Sequence, residues 1–401
     1  MKKILITSLL AMMTTPLIAQ NDSVSQGHQP NQYTLVCLES PTRDCAFSAA
    51  IQTVIAEKFG VERAKVLAAV AKSMIATGQR DNAIETLNLA LEEARSVNLS
   101  LVTQEKITEI APLFARADDT ATALTLVEEI VIESVHERTL INIARENMVA
   151  GRIADANVAL GQMKSEARAF WQRLSLLTIA PNDALAAINL PELEAKLREY
   201  SMPSQLYRGL VLLSVIADKI GQPDSRQVYL VEADEYFQSI LAMSERAIAS
   251  AQRLRIMYDG GATRTLLEQS YTLANIHANR ARGLDTLQTV ALIMGPAEVG
   301  MGYLDPALRR LDVFTELSDK ARYLSELKLI KEAPSLAVET RALLLEVNEL
   351  EGAYERDLVR LKLLDGALEN EDITLALNII KAIEDDDNQA RGLALLAPLL
   401  D

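Results

Sequence analysis

A basic residue, followed by an apolar helix that stops about 13–15 residues later, returns along almost the whole 401-residue chain. The basic positions are Arg63, Lys106, Arg138, Arg168, Arg208, Arg246, Arg282, Arg322, Arg356 and Arg391, at gaps of 30 to 43 residues. A mean period of about 36 residues is that of a helix-turn-helix unit. One such unit cannot bury its apolar face alone, so successive units must stack, each covering the next. About ten copies make this recurrence the strongest constraint on the fold.

Composition agrees with it. Apolar residues make up 49% of the chain and aromatics only 4%, with 16 Gly and 12 Pro, too few aromatic and turn residues for a β-sandwich or barrel. Strong helix formers, Leu, Ala, Glu and Arg, dominate instead. From about Cys45 onward apolar residues recur at helical spacing, and helix stops are expected at Gly78, Gly151, Gly221, Gly260, Gly295 and Asn370. The expected class is all-α.

Three units give the clearest pattern. One carries Leu67, Val70, Ala71 and Met74, then Gly78, Ala83, Leu87 and Ala90. Another has Leu140, Ile143, Ala144, Gly151, Ala156, Leu160 and Met163 at matching offsets. A third keeps Leu210, Leu213, Ser214, Ala217, Gly221, Leu230 and Ala233. Small residues let paired helices approach, and larger ones fill the space between hairpins. At these residues the chain resembles the tetratricopeptide-repeat (TPR) family, over roughly residues 60–400. Its repeats are degenerate: Leu, Met or Asn replaces the family's Trp and Tyr, and Arg95 and Arg168 stand at the offset of its closing Pro. A HEAT-like or otherwise distinct α-solenoid shares the same pattern. The TPR resemblance implies a right-handed superhelical α-solenoid with a concave face that binds proteins or peptides.

Two stretches break the spacing. Pro181, Pro191 and Pro203 should cut one second helix into short pieces, and the segment from Gly295 to Pro306 reads as an inserted Gly-rich loop. The last helix, from Gln389, carries Leu393, Leu395, Leu396, Leu399 and Leu400 on one arc. It either caps the array or offers an apolar edge for self-association.

Residues 1–19 read as a secretory signal peptide. Lys2 and Lys3 precede an apolar run from Ile4 to Met13, with Pro16 next and a cut expected near Ala19. Residues 20–44 are expected to form a flexible lead-in and residues 45–401 the solenoid. Cys37 and Cys45 lie close enough in sequence for a structural disulfide in an oxidising compartment. The expected location is therefore periplasmic or secreted, with no integral membrane segment in the mature chain. Net charge is −15, and −17 without the leader, which argues against nucleic-acid binding.

The sequence offers no catalytic constellation. The only histidines, His28, His136 and His277, are scattered, and neither HExxH, GxSxG nor a phosphate-binding GxxxxGK[ST] occurs. No catalytic residue, metal or cofactor is expected. The acidic runs Glu369–Asp372 and Asp385–Asp387 lack the spacing of a calcium loop. Eight of the ten recurrent bases follow an acid within four residues, which suits a helix N-terminus, whereas Arg208 and Arg282 do not. Nine of 17 aromatics fall within residues 170–271. Trp171, Tyr207, Tyr229, Tyr236, Tyr258 and Tyr271, with Arg208 and Arg282, are the candidate binding residues. Packing between hairpins is the competing role for the aromatics. The expected function is a non-catalytic scaffold for a protein or peptide of the cell envelope. The alternatives are an all-α enzyme acting on an envelope polymer and an architectural homo-oligomer.

Overall fold

The computed structural model describes residues 32–56, 60–97, 100–327 and 334–400. The expected signal peptide lies outside them. Among the described residues there are 21 α-helices and no strand. The first two are α1 (Gln32–Glu39) and α2 (Arg43–Ala56). Hairpins follow: α3 (Gly60–Ala76) with α4 (Arg80–Arg95), α5 (Ser100–Arg116) with α6 (Thr120–Val127), and α7 (Glu133–Val149) with α8 (Ile153–Gly161). Next come α9 (Glu166–Leu177) and α10 (Leu190–Leu197), then α11 (Pro203–Lys219) with α12 (Pro223–Ser239) and α13 (Met243–Asp259) with α14 (Arg264–Ala278). The remainder is α15 (Leu284–Gly300), α16 (Leu304–Arg309), α17 (Leu317–Glu326), α18 (Pro334–Val347), α19 (Ala353–Glu369), α20 (Ile373–Ala382) and α21 (Asp386–Leu396).

The repeated turn has one backbone solution. After α3 the chain turns left-handed at Gly78 (φ 80°), whose N–H reaches the Ile75 carbonyl while Gln79 N–H reaches that of Met74. Two otherwise orphaned carbonyls are thereby satisfied, at a position where a side chain would be strained. Positive-φ turns with the same bonding pattern close α5 at Asp118, α7 at Gly151, α11 at Gly221, α13 at Gly261, α15 at Gly302 and α19 at Glu371. Three expected stops therefore move: to Gly261 from Gly260, to Gly302 from Gly295, and to Glu371 from Asn370.

The segment from Gly295 to Pro306 is not a loop. Helix α15 runs through Pro296 to Gly300. A Cβ on Gly295 would lie 2.5 Å from Tyr323 Oη, and one on Gly300 would lie 1.9 Å from Tyr258 Oη. These glycines admit neighbouring tyrosines against bare backbone, and the helix tolerates them for that reason. The proline-rich stretch does break up as expected, into a 3-10 turn (Asp183–Ala187) and the short α10. Pro191 and Pro203 sit in the first turns of α10 and α11, where the missing N–H costs nothing.

The apolar positions of the three clearest units, from Leu67 and Val70 through Ile143 to Leu230, are all buried. Each odd-numbered helix from α3 to α21 touches the next odd-numbered one. Most even-numbered helices pack on the odd helices on both sides of them. The last helix then closes the series: α21 packs on both α2 and α3. Ser73 Oγ donates to the Ala394 carbonyl, and Arg43 Nη2 donates to the Leu400 carbonyl at 2.9 Å. Leu393, Leu396 and Leu400 are buried in this seam. A fully buried Leu contributes about 1.5–3 kcal/mol relative to an exposed one. The apolar arc of the last helix is thus covered by the chain's own beginning, and the odd helices form an unbroken cycle. Cys37 on α1 and Cys45 on α2 sit at disulfide spacing, with Cα atoms 5.6 Å apart, beside this seam.

Candidate functional site

Along the odd helices, residues one and two turns apart share a face. On α3 these are Lys65, Ala68, Ala69 and Lys72; on α5, Glu105, Thr108, Glu109, Pro112 and Arg116; on α7, Arg138, Asn142 and Arg145. Asp365 of α19 and Arg391 and Leu395 of α21 complete one cavity of about 570 Å³. Its walls come from five consecutive members of the cycle, α19, α21, α3, α5 and α7, and from no even-numbered helix. The cavity lies where the two ends of the chain meet.

Its charges sort into paired and unpaired sets. Arg116 binds Glu146 at 3.0 Å, Lys65 binds Glu62 at 2.8 Å and Lys106 binds Glu109 at 2.7 Å. Lys72, Arg138, Arg145 and Arg391 make neither an ion pair nor a hydrogen bond with a described residue. Against these four cations stand two lining acids with no bonded partner, Glu105 and Asp365. Solvent reaches Asp365, but the surrounding helices push its carboxyl up while Lys72 and Arg391 draw it down. The site therefore carries an excess of positive charge inside a strongly acidic chain.

The candidate residues chosen from the sequence lie elsewhere. Tyr207 is 1% and Tyr229 5% exposed. Tyr207 packs against Phe237, with ring centroids 5.2 Å apart, and burial pushes its hydroxyl pKa up. The Tyr229 hydroxyl donates to Glu194 at 3.0 Å and is pushed up to about 12 by burial and by that carboxylate. Trp171 joins Phe170 and Tyr200 in a three-ring cluster, with Arg208 over the indole at 5.9 Å. Burial lowers the Arg208 pKa. Tyr258 fills the space over Gly300, Tyr271 stacks on Tyr303 at 4.5 Å, and Tyr236 is partly buried against the core. Arg282 donates to the Ala281 carbonyl at 2.8 Å, at the end of α14. Arg208 and Trp171 meet, the tyrosines of this set are drawn into or against the helix packing, and Arg282 is exposed.

The recurrent bases divide similarly. Arg63, Arg168 and Arg356 do not pair with the acid just upstream but reach Glu93, Glu137 and Glu384, 30, 31 and 28 residues away. They fasten one helix to another. Arg138 and Arg391 are the members that face the cavity. Lys72, Arg145 and Asp365 went unnoticed in the sequence, although Arg138, Asn142 and Arg145 already place two cations on one face with no acid between them. The acidic runs are accounted for locally. Asp372 caps α20 by accepting from Leu375 N–H at 3.0 Å, and Asp385 caps α21 by accepting from Asn388 N–H at 2.8 Å. No group of three or more His, Cys, Asp or Glu among the described residues could hold a metal ion.

A second cavity, about 610 Å³, opens between α8, α9 and α10 and is lined by Leu160, Met163, Phe170 and Leu193 with Arg173 and Lys196. No helix among the described residues is long and apolar enough to cross a membrane. No protein-family model and no curated protein matches the chain.

Proposed function

We propose that the protein is an exported, non-catalytic scaffold that holds a protein or peptide partner against the inner face of its odd-numbered helices. In this reading the hairpins are about ten TPR-like repeats of an α-solenoid, curved so far that its ends meet. The observation that carries it is the cavity at the seam, walled by five odd helices and retaining unpaired cations. A surface built from many helices and left unneutralised is suited to binding by preformed complementarity. The cysteine pair at disulfide spacing and the leader-like residues 1–19 support an oxidising destination, periplasmic or extracellular. The test is capture: immobilised full-length mature protein, verified as folded by circular dichroism, is exposed to envelope extract. A saturable partner that is lost when the cavity cations are neutralised supports the reading. Recovery of no partner by the folded protein overturns it.

A further inference from the structure

We infer that the seam cavity is an oxyanion-binding site, taking a small ligand with at least two carboxylate or phosphate groups and joining the two ends of the chain through it. The inference rests on reading the inner face as the binding face, and it adds the chemistry of what is bound there.

Charge balance comes first. The chain carries −15 overall, with 55 acids to 40 bases, so a cavity in which cations outnumber acids runs against the composition. Here Lys72, Arg138, Arg145 and Arg391 share one cavity with no bonded partner among the described residues, and of its lining acids Glu105 and Asp365 are likewise unbonded. Like charges held in a cleft with protein walls repel one another unless an anion joins them, and such a cleft concentrates anions from solution. Side-chain chemistry comes second. Three of the four are arginines, whose planar fork matches the two oxygens of a carboxylate or phosphate. Size comes third. About 570 Å³ falls in the range of small-molecule sites, enough for a compact polyanion.

Placement gives the site a further consequence. Lys72 belongs to α3 and Arg138 and Arg145 to α7, near the start of the chain, whereas Arg391 belongs to α21 at its end. A ligand held by both groups bridges the seam, so it stabilises the closed cycle by mass action.

The test is calorimetric titration of the full-length mature protein with tripolyphosphate and, separately, with citrate, at low ionic strength where charge pairing is least screened. Saturable one-to-one binding of either probe is expected, with a rise in the unfolding temperature. Tighter tripolyphosphate binding assigns a phosphate ligand, and tighter citrate binding a carboxylate ligand; both support the site. Arg138→Gln and Arg391→Gln should each weaken binding about tenfold. Asp365→Asn removes the competing carboxylate and should tighten it about threefold, a gain that a folding defect cannot mimic. Arg282→Gln, remote from the cavity, should bind as the parent does. Absence of saturable binding of both probes overturns the inference, as does parental affinity in both Arg138→Gln and Arg391→Gln. Anion binding that persists when envelope extract yields no partner would sink the scaffold reading alone. Partner capture without anion binding would sink this inference alone.

Discussion

The aromatic middle of the chain, residues 170–271, and the seam where its two ends meet are opposites in composition and in structure. The middle holds nine of the 17 aromatics and so attracts attention in the sequence. In the structure those rings are largely consumed by packing: Tyr207 against Phe237, Trp171 against Tyr200, Tyr258 over Gly300. The seam cavity is lined mainly by ordinary Lys, Arg and Glu residues drawn from both ends of the chain. Yet there four cations, Lys72, Arg138, Arg145 and Arg391, bond no described residue. Bulky residues at repeat positions are drawn into the gaps between hairpins, because burial stabilises them. What remains open to a ligand is set by which charges the fold fails to pair.

Substitutions can break or sharpen that contrast. The largest effect belongs to the middle. Tyr207→Ala empties a fully packed site, and urea unfolding should show a loss of about 3–5 kcal/mol. A loss under about 1 kcal/mol would mean that Tyr207 is not a packing residue. At the seam, Ser73→Ala removes the hydroxyl that donates to the Ala394 carbonyl and leaves that buried acceptor unpaired. The same assay should register about 1–3 kcal/mol.

A smaller effect is one of pH. Hydrogen bonds from Arg356 and Arg360 hold the Glu384 carboxyl down at about 2. A depressed folded value means that this pairing stabilises the protein fully above the ordinary carboxylate range, near 4.5, and that the gain is lost as pH falls toward 2. Glu384→Gln should flatten the stability profile across that window and leave its shape above it unchanged. An identical acid profile in parent and variant would dissociate Glu384 from its arginines. Smallest of all, Arg138→Gln and Lys72→Gln should change stability by less than about 0.5 kcal/mol, since both residues are exposed and unpaired. A loss comparable to that of Tyr207→Ala would remove the distinction between the two regions.

Much of the architecture was legible because helical periodicity and a repeat period are local signals. The buried positions Leu67, Val70, Leu140, Ile143, Leu210 and Leu213 could be chosen from spacing alone. Hairpin turns were partly legible. Gly78, Gly151 and Gly221 announced themselves, whereas Asp118 and Glu371 adopt the same left-handed geometry without a glycine. The Gly295–Gly300 stretch misled for a definable reason. Glycine serves either a turn or a close approach, and only the arrival of Tyr258 and Tyr323 from other helices decides which. Closure of the cycle was illegible, because the bond between Ser73 and Ala394 spans 321 residues. The candidate site inherits that problem. Arg138 and Arg391 were visible as members of the recurrent series, but nothing near either residue reveals that the two share a cavity.

Closure is the central claim, and small-angle X-ray scattering of the mature full-length monomer tests it most directly. Ten odd helices packed about 9–10 Å apart in a closed cycle should give a radius of gyration of about 22–25 Å, near that of a compact chain of this length. A value approaching 30 Å, as an open array of the same hairpins would give, would contradict the seam and the cavity with it.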